Sequence, residues 1–195
     1  MLVDTLYDER LAAEMLAGVQ DVSGFAVDAI RTLVNVHLNG DHTFGKQLLT
    51  NARFIASAAA HAMRTDDASK PPAALMKRTG EFGEVGLYHG RDLRCFGFAG
   101  VRQRLPDKTF SGEKRITAGD KEIHLIEVGP AHTAGDTMIH IPKDRTVYTG
   151  YIPQDSPYFQ TAPNMSRKTG CAASIRANCS TKGCRRWSGM VGMSS

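Results

Sequence analysis

The stretch that most constrains this chain is Val36-His37-Leu38-Asn39-Gly40-Asp41-His42-Thr43-Phe44-Gly45. It follows directly on the β-branched run "RTLVNV" (31–36), which reads as a strand. A strand ending here delivers His37, Asp41 and His42 into one Gly-containing turn. Imidazole nitrogen and carboxylate oxygen are the usual zinc donors, at about 2.0–2.2 Å. Asp41 and His42 are adjacent, so they serve a different ion from His37 more readily than the same one. Two ions side by side can share a hydroxide nucleophile. The plainer alternative is a polar loop that caps the next helix, with Asp41 or Thr43 as the N-cap.

A second cluster lies far downstream in Gly129-Pro130-Ala131-His132-Thr133-Ala134-Gly135-Asp136. It joins the strand "KEIHLIEV" (121–128) to the strand "DTMIHIP" (136–142), so His132 sits in a strand-to-strand turn. Asp136 reads as a buried or turn-capping carboxylate rather than a ligand. His61, His89, His124 and His140 have no motif around them and read as surface or packed strand histidines.

Around these clusters the pattern is mixed. Leu2-Val3 reads as a strand end, and Thr5 with Asp8 fits a capping box for a helix whose Leu11, Met15 and Val19 share a face. A helix is expected from Lys46 to Asn51, a strand at "ARFIAS", and patchy helix from Ala58 to Met76, broken at Pro71-Pro72. The Gly-rich "TGEFGEVGLYHGRDLRCFGFAG" reads as a long loop. Strands follow at "EKRITAG" (113–119) and "RTVYTG" (145–150), with turns at Gly119-Asp120 and Pro142-Lys143-Asp144. After Ile152 no period survives.

Length and composition bound the rest. At 195 residues and 42% hydrophobic, the chain can bury one core. No apolar run approaches the roughly 18 residues of a membrane span. "MLVDTLYDER" has neither a basic n-region nor an apolar h-region, so a cytoplasmic protein with no membrane partner is expected. Four cysteines in a chain this long do not make a disulfide scaffold, and Cys171, Cys179 and Cys184 lack C-x-x-C spacing. The net charge of +4 comes from the tail, where Arg167, Lys168, Arg176, Lys182, Arg185 and Arg186 meet no acidic residue in 164–195. Such a tail could bind nucleic acid electrostatically. Aromatic interleaving is absent apart from Trp187, so a solvated tail is the preferred reading.

In order along the chain, "LVDT", "VHLNGDHTFG", "PAHTAGDT" and "VYTGYI" resemble the metallo-β-lactamase fold hydrolases, whose hallmark is H-x-H-x-D-H, a distant H-T-x-G-D turn and a "TGD" strand end. The resemblance spans about residues 1–152 and implies an α/β fold, a four-layer αββα sandwich. It implies one or two metal ions, usually Zn2+, with Fe or Mn as variants. His37 and His132 would hold one ion, and Asp41 and His42 the other. A metal-bound hydroxide would attack an ester, thioester, amide or phosphoester of a small-molecule substrate, with Asp41 orienting it and handling its proton.

The match departs at named positions. Asn39 stands where the second His belongs, Tyr151 stands where a bridging Asp belongs (with Asp155 four residues on), and no histidine follows His140. A neutral amide is a much poorer zinc ligand than imidazole, and a phenol with a pKa near 10 is a poor bridge. The expectation is therefore a partial family domain over 1–152, truncated at both ends, and a basic, Cys-containing tail over 153–195 that is disordered or foreign to the family. A shifted reading frame near 152–165 would account for the abrupt change. The functional expectation is a zinc-type hydrolase. The alternatives are a catalytically impaired fragment or non-enzymatic relative with weak or no metal binding, and a nucleic-acid binder acting through the tail.

Overall fold

The computed structural model describes residues 1–65, 72–150 and 185–187. The chain forms two compact units. The first holds Met1–Val34, Asn39–Phe54 and Arg64–Asp107; the second holds Asn35–Leu38, Ile55–Met63 and Lys108–Ser195. Among the described residues no helix is long and apolar enough to cross a membrane.

In the first unit, β1 (Leu2–Val3) pairs parallel with β2 (Thr32–Val34), Leu2 opposite Leu33 and Val3 opposite Val34. Parallel neighbours need a crossover, and α1 (Glu9–Ser23) supplies it. Its N-cap is Asp8, whose Oδ1 accepts the Leu11 N–H at 2.8 Å. The helix thus starts a turn later than a Thr5–Asp8 capping box would place it. Thr5 is instead fully buried, and its hydroxyl donates to the His42 carbonyl and accepts the Gly45 N–H. Ala12 and Leu16 are the buried stripe of α1, while Leu11, Met15 and Val19 flank it, half-buried. A side chain at Gly45 would run into Ala12, so α1 packs there on bare backbone. Gly24, at φ 71°, closes the helix.

Next comes the short helix α2 (Gly40–Thr43), with Asn39 rather than Asp41 or Thr43 at its N-cap position. The expected helix at Lys46 is only a 3-10 turn, Lys46–Leu48. Lys46 is buried there, with Nζ donating to the Arg104 carbonyl at 3.0 Å and lying 4.4 Å over the Phe54 ring. Strand β3 (Arg53–Ser57) begins in this unit, where the Arg53 N–H donates to the Arg31 carbonyl.

The Gly-rich stretch is a correction. It folds as a 3-10 turn (Thr79–Phe82) and then α5 (Gly83–Asp92), after α4 (Pro72–Lys77). Its glycines permit close packing rather than looping. A Cβ at Gly86 would lie 2.6 Å from that of Phe82, and one at Gly90 would lie 2.7 Å from the Thr79 hydroxyl.

In the second unit, the rest of β3 pairs parallel with β4 (Lys108–Phe110), a strand too short to be read from the sequence. The Asn35 N–H donates to the Ile55 carbonyl. Helix α3 (Ala58–Thr65) opens on Ser57, whose Oγ accepts the Ala60 N–H. A meander follows: β5 (Glu113–Ala118), β6 (Lys121–Glu127), β7 (Thr137–Ile141) and β8 (Thr146–Tyr148), each antiparallel to the last. Ile123, Leu125, Met138, Ile139 and Val147 are buried within it. Arg185–Trp187 form β9, parallel to β8, so the tail holds an element where its sequence shows no period. The rest of the tail, with Tyr151, Asp155, Cys171, Cys179, Cys184 and the basic residues before Arg185, lies outside the described residues, and so does the nucleic-acid reading that depends on it.

Asp8 carries a second bond, accepting the Gly97 N–H at 2.8 Å. Burial opposes its charge, but the N–H donors of Leu11 and Gly97 outweigh this and hold its pKa below the ordinary value. A group depressed in this way stabilises the fold above the ordinary carboxylate pKa, and the contribution is lost as pH falls through the folded value. Asp8→Ala is expected to lower unfolding free energy by about 1–2 kcal/mol at pH 7 and by less at pH 3, read by urea denaturation. An unchanged midpoint at pH 7 would contradict the capping role.

Candidate metal centre

The second unit holds one pair of candidate ligands. His37 follows Val36, whose carbonyl accepts the Thr137 N–H at 2.7 Å, so the end of this segment is pinned to the start of β7. His37 is 1% exposed. His132 comes from the turn between β6 and β7. The two rings meet edge to face, with centroids 4.9 Å apart.

The His132 turn is built by Asp136. Its carboxylate accepts the Thr133 N–H and the Thr133 hydroxyl, both at 2.7 Å. Its carbonyl accepts the N–H groups of Val128 and Gly129. Burial raises the Asp136 pKa, and the Thr133 donors offset only part of that rise. Asp136 is thus the buried, turn-capping carboxylate its sequence context suggests. Gly135 is needed for a close approach: a Cβ there would lie 2.7 Å from the Ala60 Cα, and its carbonyl accepts the Ser57 hydroxyl at 2.6 Å.

The first unit holds the other pair, Asp41 and His42, together with a residue that sequence reading missed. Asp4 ends β1 at φ 60°, a left-handed conformation uncommon outside glycine and typical of strained functional positions. Its N–H donates to the Val34 carbonyl, and its carboxylate sits 2.6 Å from His42 Nδ1. On the other side of the ring, Nε2 lies 3.2 Å from the Asp41 carboxylate. Both ring nitrogens are therefore engaged by carboxylates. Burial disfavours the imidazolium, but the bonds to Asp4 and Asp41 outweigh it, and the His42 pKa is pushed up to about 9. Near neutral pH the His42 ring of the metal-free chain is therefore held as a cation. The only trace of Asp4 in the sequence was the "LVDT" segment, 38 residues from its partner.

Comparison with known proteins identifies the family. The family whose sequence pattern matches is described as the metallo-beta-lactamase superfamily, over residues 1–150. The chain belongs to that superfamily. Solved structures with similar folds include a metallo-beta-lactamase from Pontibacter korlensis, at TM-score 0.65 and 13% identity, covering 93% of this chain and 70% of that one. Another is a metallo-beta-lactamase from Cronobacter sakazakii, at 0.58 and 18%, covering 90% of this chain and 64% of that one. The metallo-beta-lactamase TMB-1 also matches, at 0.58 and 15%, covering 89% and 65%. The chain thus spans about two thirds of the length of these proteins. No curated protein matches its sequence. At such identities the structural likeness shows the α/β fold, two sheets with helices, and family membership places the chain among metallo-hydrolase-type proteins.

A structural zinc site takes four donors, and a catalytic one three plus water. Among the described residues, no three His, Cys, Asp or Glu side chains converge to hold an ion. His37 and His132 supply two imidazoles, and Asn39 replaces the third that H-x-H would give. Asp41 and His42 are turned toward each other, with Asp4 on the far nitrogen. The candidate donors are thus His37 and His132 in one unit and Asp41 and His42 in the other.

The charge on His42 also has a thermodynamic signature. A folded pKa raised from 6.5 to about 9 stabilises the fold fully below pH 6.5, and the contribution disappears as pH rises through 9. The effect is at most about 3 kcal/mol. NMR titration of the metal-free chain is expected to place the His42 ring near pH 9, and Asp4→Asn to bring it down toward 6.5 while lowering the urea midpoint at pH 7. A wild-type ring titrating near 6.5 would contradict the bracketed geometry.

Proposed function

We propose that this chain is a metallo-hydrolase of the metallo-β-lactamase type in a catalytically impaired form. It takes up a zinc-type ion weakly and singly, and it turns over an ester, thioester, amide or phosphoester slowly. Family membership supports the reaction class. Asn39 in place of an imidazole supports the impairment.

Metal binding needs neutral imidazole, so uptake at His42 would release the proton its ring holds in the metal-free chain. His37 and His132 bring two imidazoles edge to face and are the candidates for holding the ion, with Asn39, a much poorer donor, where a third imidazole belongs.

The test is hydrolysis of p-nitrophenyl acetate with added zinc, with chelator, and in His37→Ala and His132→Ala variants. Slow zinc-dependent turnover is expected, well below the roughly 10 s⁻¹ of a typical enzyme, and it should be abolished in either variant. Identical rates with and without chelator would refute the metal-dependent reading. Zinc-dependent turnover at ordinary enzymatic rates would refute the impairment.

A further inference from the structure

The meander carries a second histidine pair that the candidate metal centre does not use. His124 and His140 are direct cross-strand partners in the β6–β7 register, so both side chains leave the same face of the sheet. Their rings meet edge to face, with centroids 5.5 Å apart. Arg115 lies opposite His124 on β5, and the period of two puts Glu113 and Glu122 on that face as well.

Two observations point to a cation here. The first is a spacing. Glu122 Oε1 lies 2.6 Å from His124 Nε2, so the neutral ring carries its proton on that nitrogen and presents the Nδ1 lone pair. Nδ1 faces Glu113 Oε1 at 3.4 Å. Two acceptors then confront each other at about the 3–3.5 Å that separates donors sharing one metal ion. A histidine that donates its far N–H to a carboxylate is also the usual form of a metal-bound imidazole. The second observation is His140. It is 8% exposed, and its buried Nε2 has no hydrogen-bond partner. Buried polar atoms are normally satisfied, so an orphan beside a second imidazole marks a place for an electron-pair acceptor.

The local charge suits a cation. Among the described residues of this face, Glu113 and Glu122 share Arg115, which reaches them at 3.2 and 3.8 Å from an exposed position. Exposed pairs of this kind are weak and give way readily. We propose that His124 Nδ1, His140 Nε2 and Glu113 Oε1 form a labile site for a late first-row divalent ion, nickel or copper. Imidazole with carboxylate suits these ions, and affinity rises toward copper. The three donors do not converge in the metal-free chain. Uptake therefore turns the His140 side chain toward His124, and the ion is lost again in metal-free buffer. The site is independent of the hydrolytic reading.

Titration of the full chain with Ni2+, followed by the NMR signals of the histidine rings, tests the assignment. The probe is paramagnetic and does not oxidise the cysteines. The His124 and His140 rings are expected to broaden together, saturably, at nickel concentrations that leave His61 and His89 sharp, and chelator should restore them. Glu113→Gln, at a half-exposed side chain that leaves the fold intact, should weaken binding about tenfold. His140→Gln should weaken the broadening of His124, and His124→Gln that of His140, by tenfold or more. Broadening of His140 that persists in His124→Gln would place the ion elsewhere and overturn the proposal. So would an unchanged midpoint in Glu113→Gln, or broadening of the pair only where His61 and His89 broaden too.

Discussion

The interaction on which the first unit turns is the imidazolium of His42 held between Asp4 and Asp41. Asp4 closes β1 and His42 belongs to α2, so this ion pair ties the first strand to the segment that follows the second. Thr5 repeats the tie through its backbone N–H and its hydroxyl, both to the His42 carbonyl. Gly45 then brings α1 down onto the same corner. The left-handed backbone at Asp4 costs on the order of 1–3 kcal/mol, and this network of bonds is what holds it there.

In the metal-free chain the imidazole between two carboxylates is held protonated, and metal uptake at His42 would release that proton. In the second unit the situation differs. Asp136 builds a rigid turn, and that turn presents His132 edge-on to His37. The carboxylate and carbonyl of Asp136 make their bonds within the turn itself. One unit thus places His37 against His132, while the other pairs His42 with Asp4 and Asp41.

Much of this was legible in the sequence, for physical reasons that differ by element. The meander β5–β8 was readable because antiparallel strands with one wetter face alternate, as Glu113–Ala118 does residue by residue. The two His-bearing turns were readable because each follows a strand and contains the glycines its backbone needs. Helix α5 was hidden because its glycines, ordinarily loop signals, are there to admit Thr79 and Phe82. Strand β4 was hidden by its length of three residues, which leaves no period to detect. The start of α1 was displaced by one turn because Thr5 and Asp8 fit a capping box, whereas Asp8 alone does the capping and Thr5 is buried for other partners. Asp4 was invisible as a partner of His42 because nothing local links a strand end to a helix 38 residues away.

The central claim is that Asn39, standing in place of an imidazole, leaves this family member to take up zinc weakly and singly. The most direct measurement is the zinc content of the purified chain by elemental analysis, after dialysis against trace zinc and gel filtration in metal-free buffer. The account predicts well under one equivalent per chain. Retention of two equivalents would contradict it.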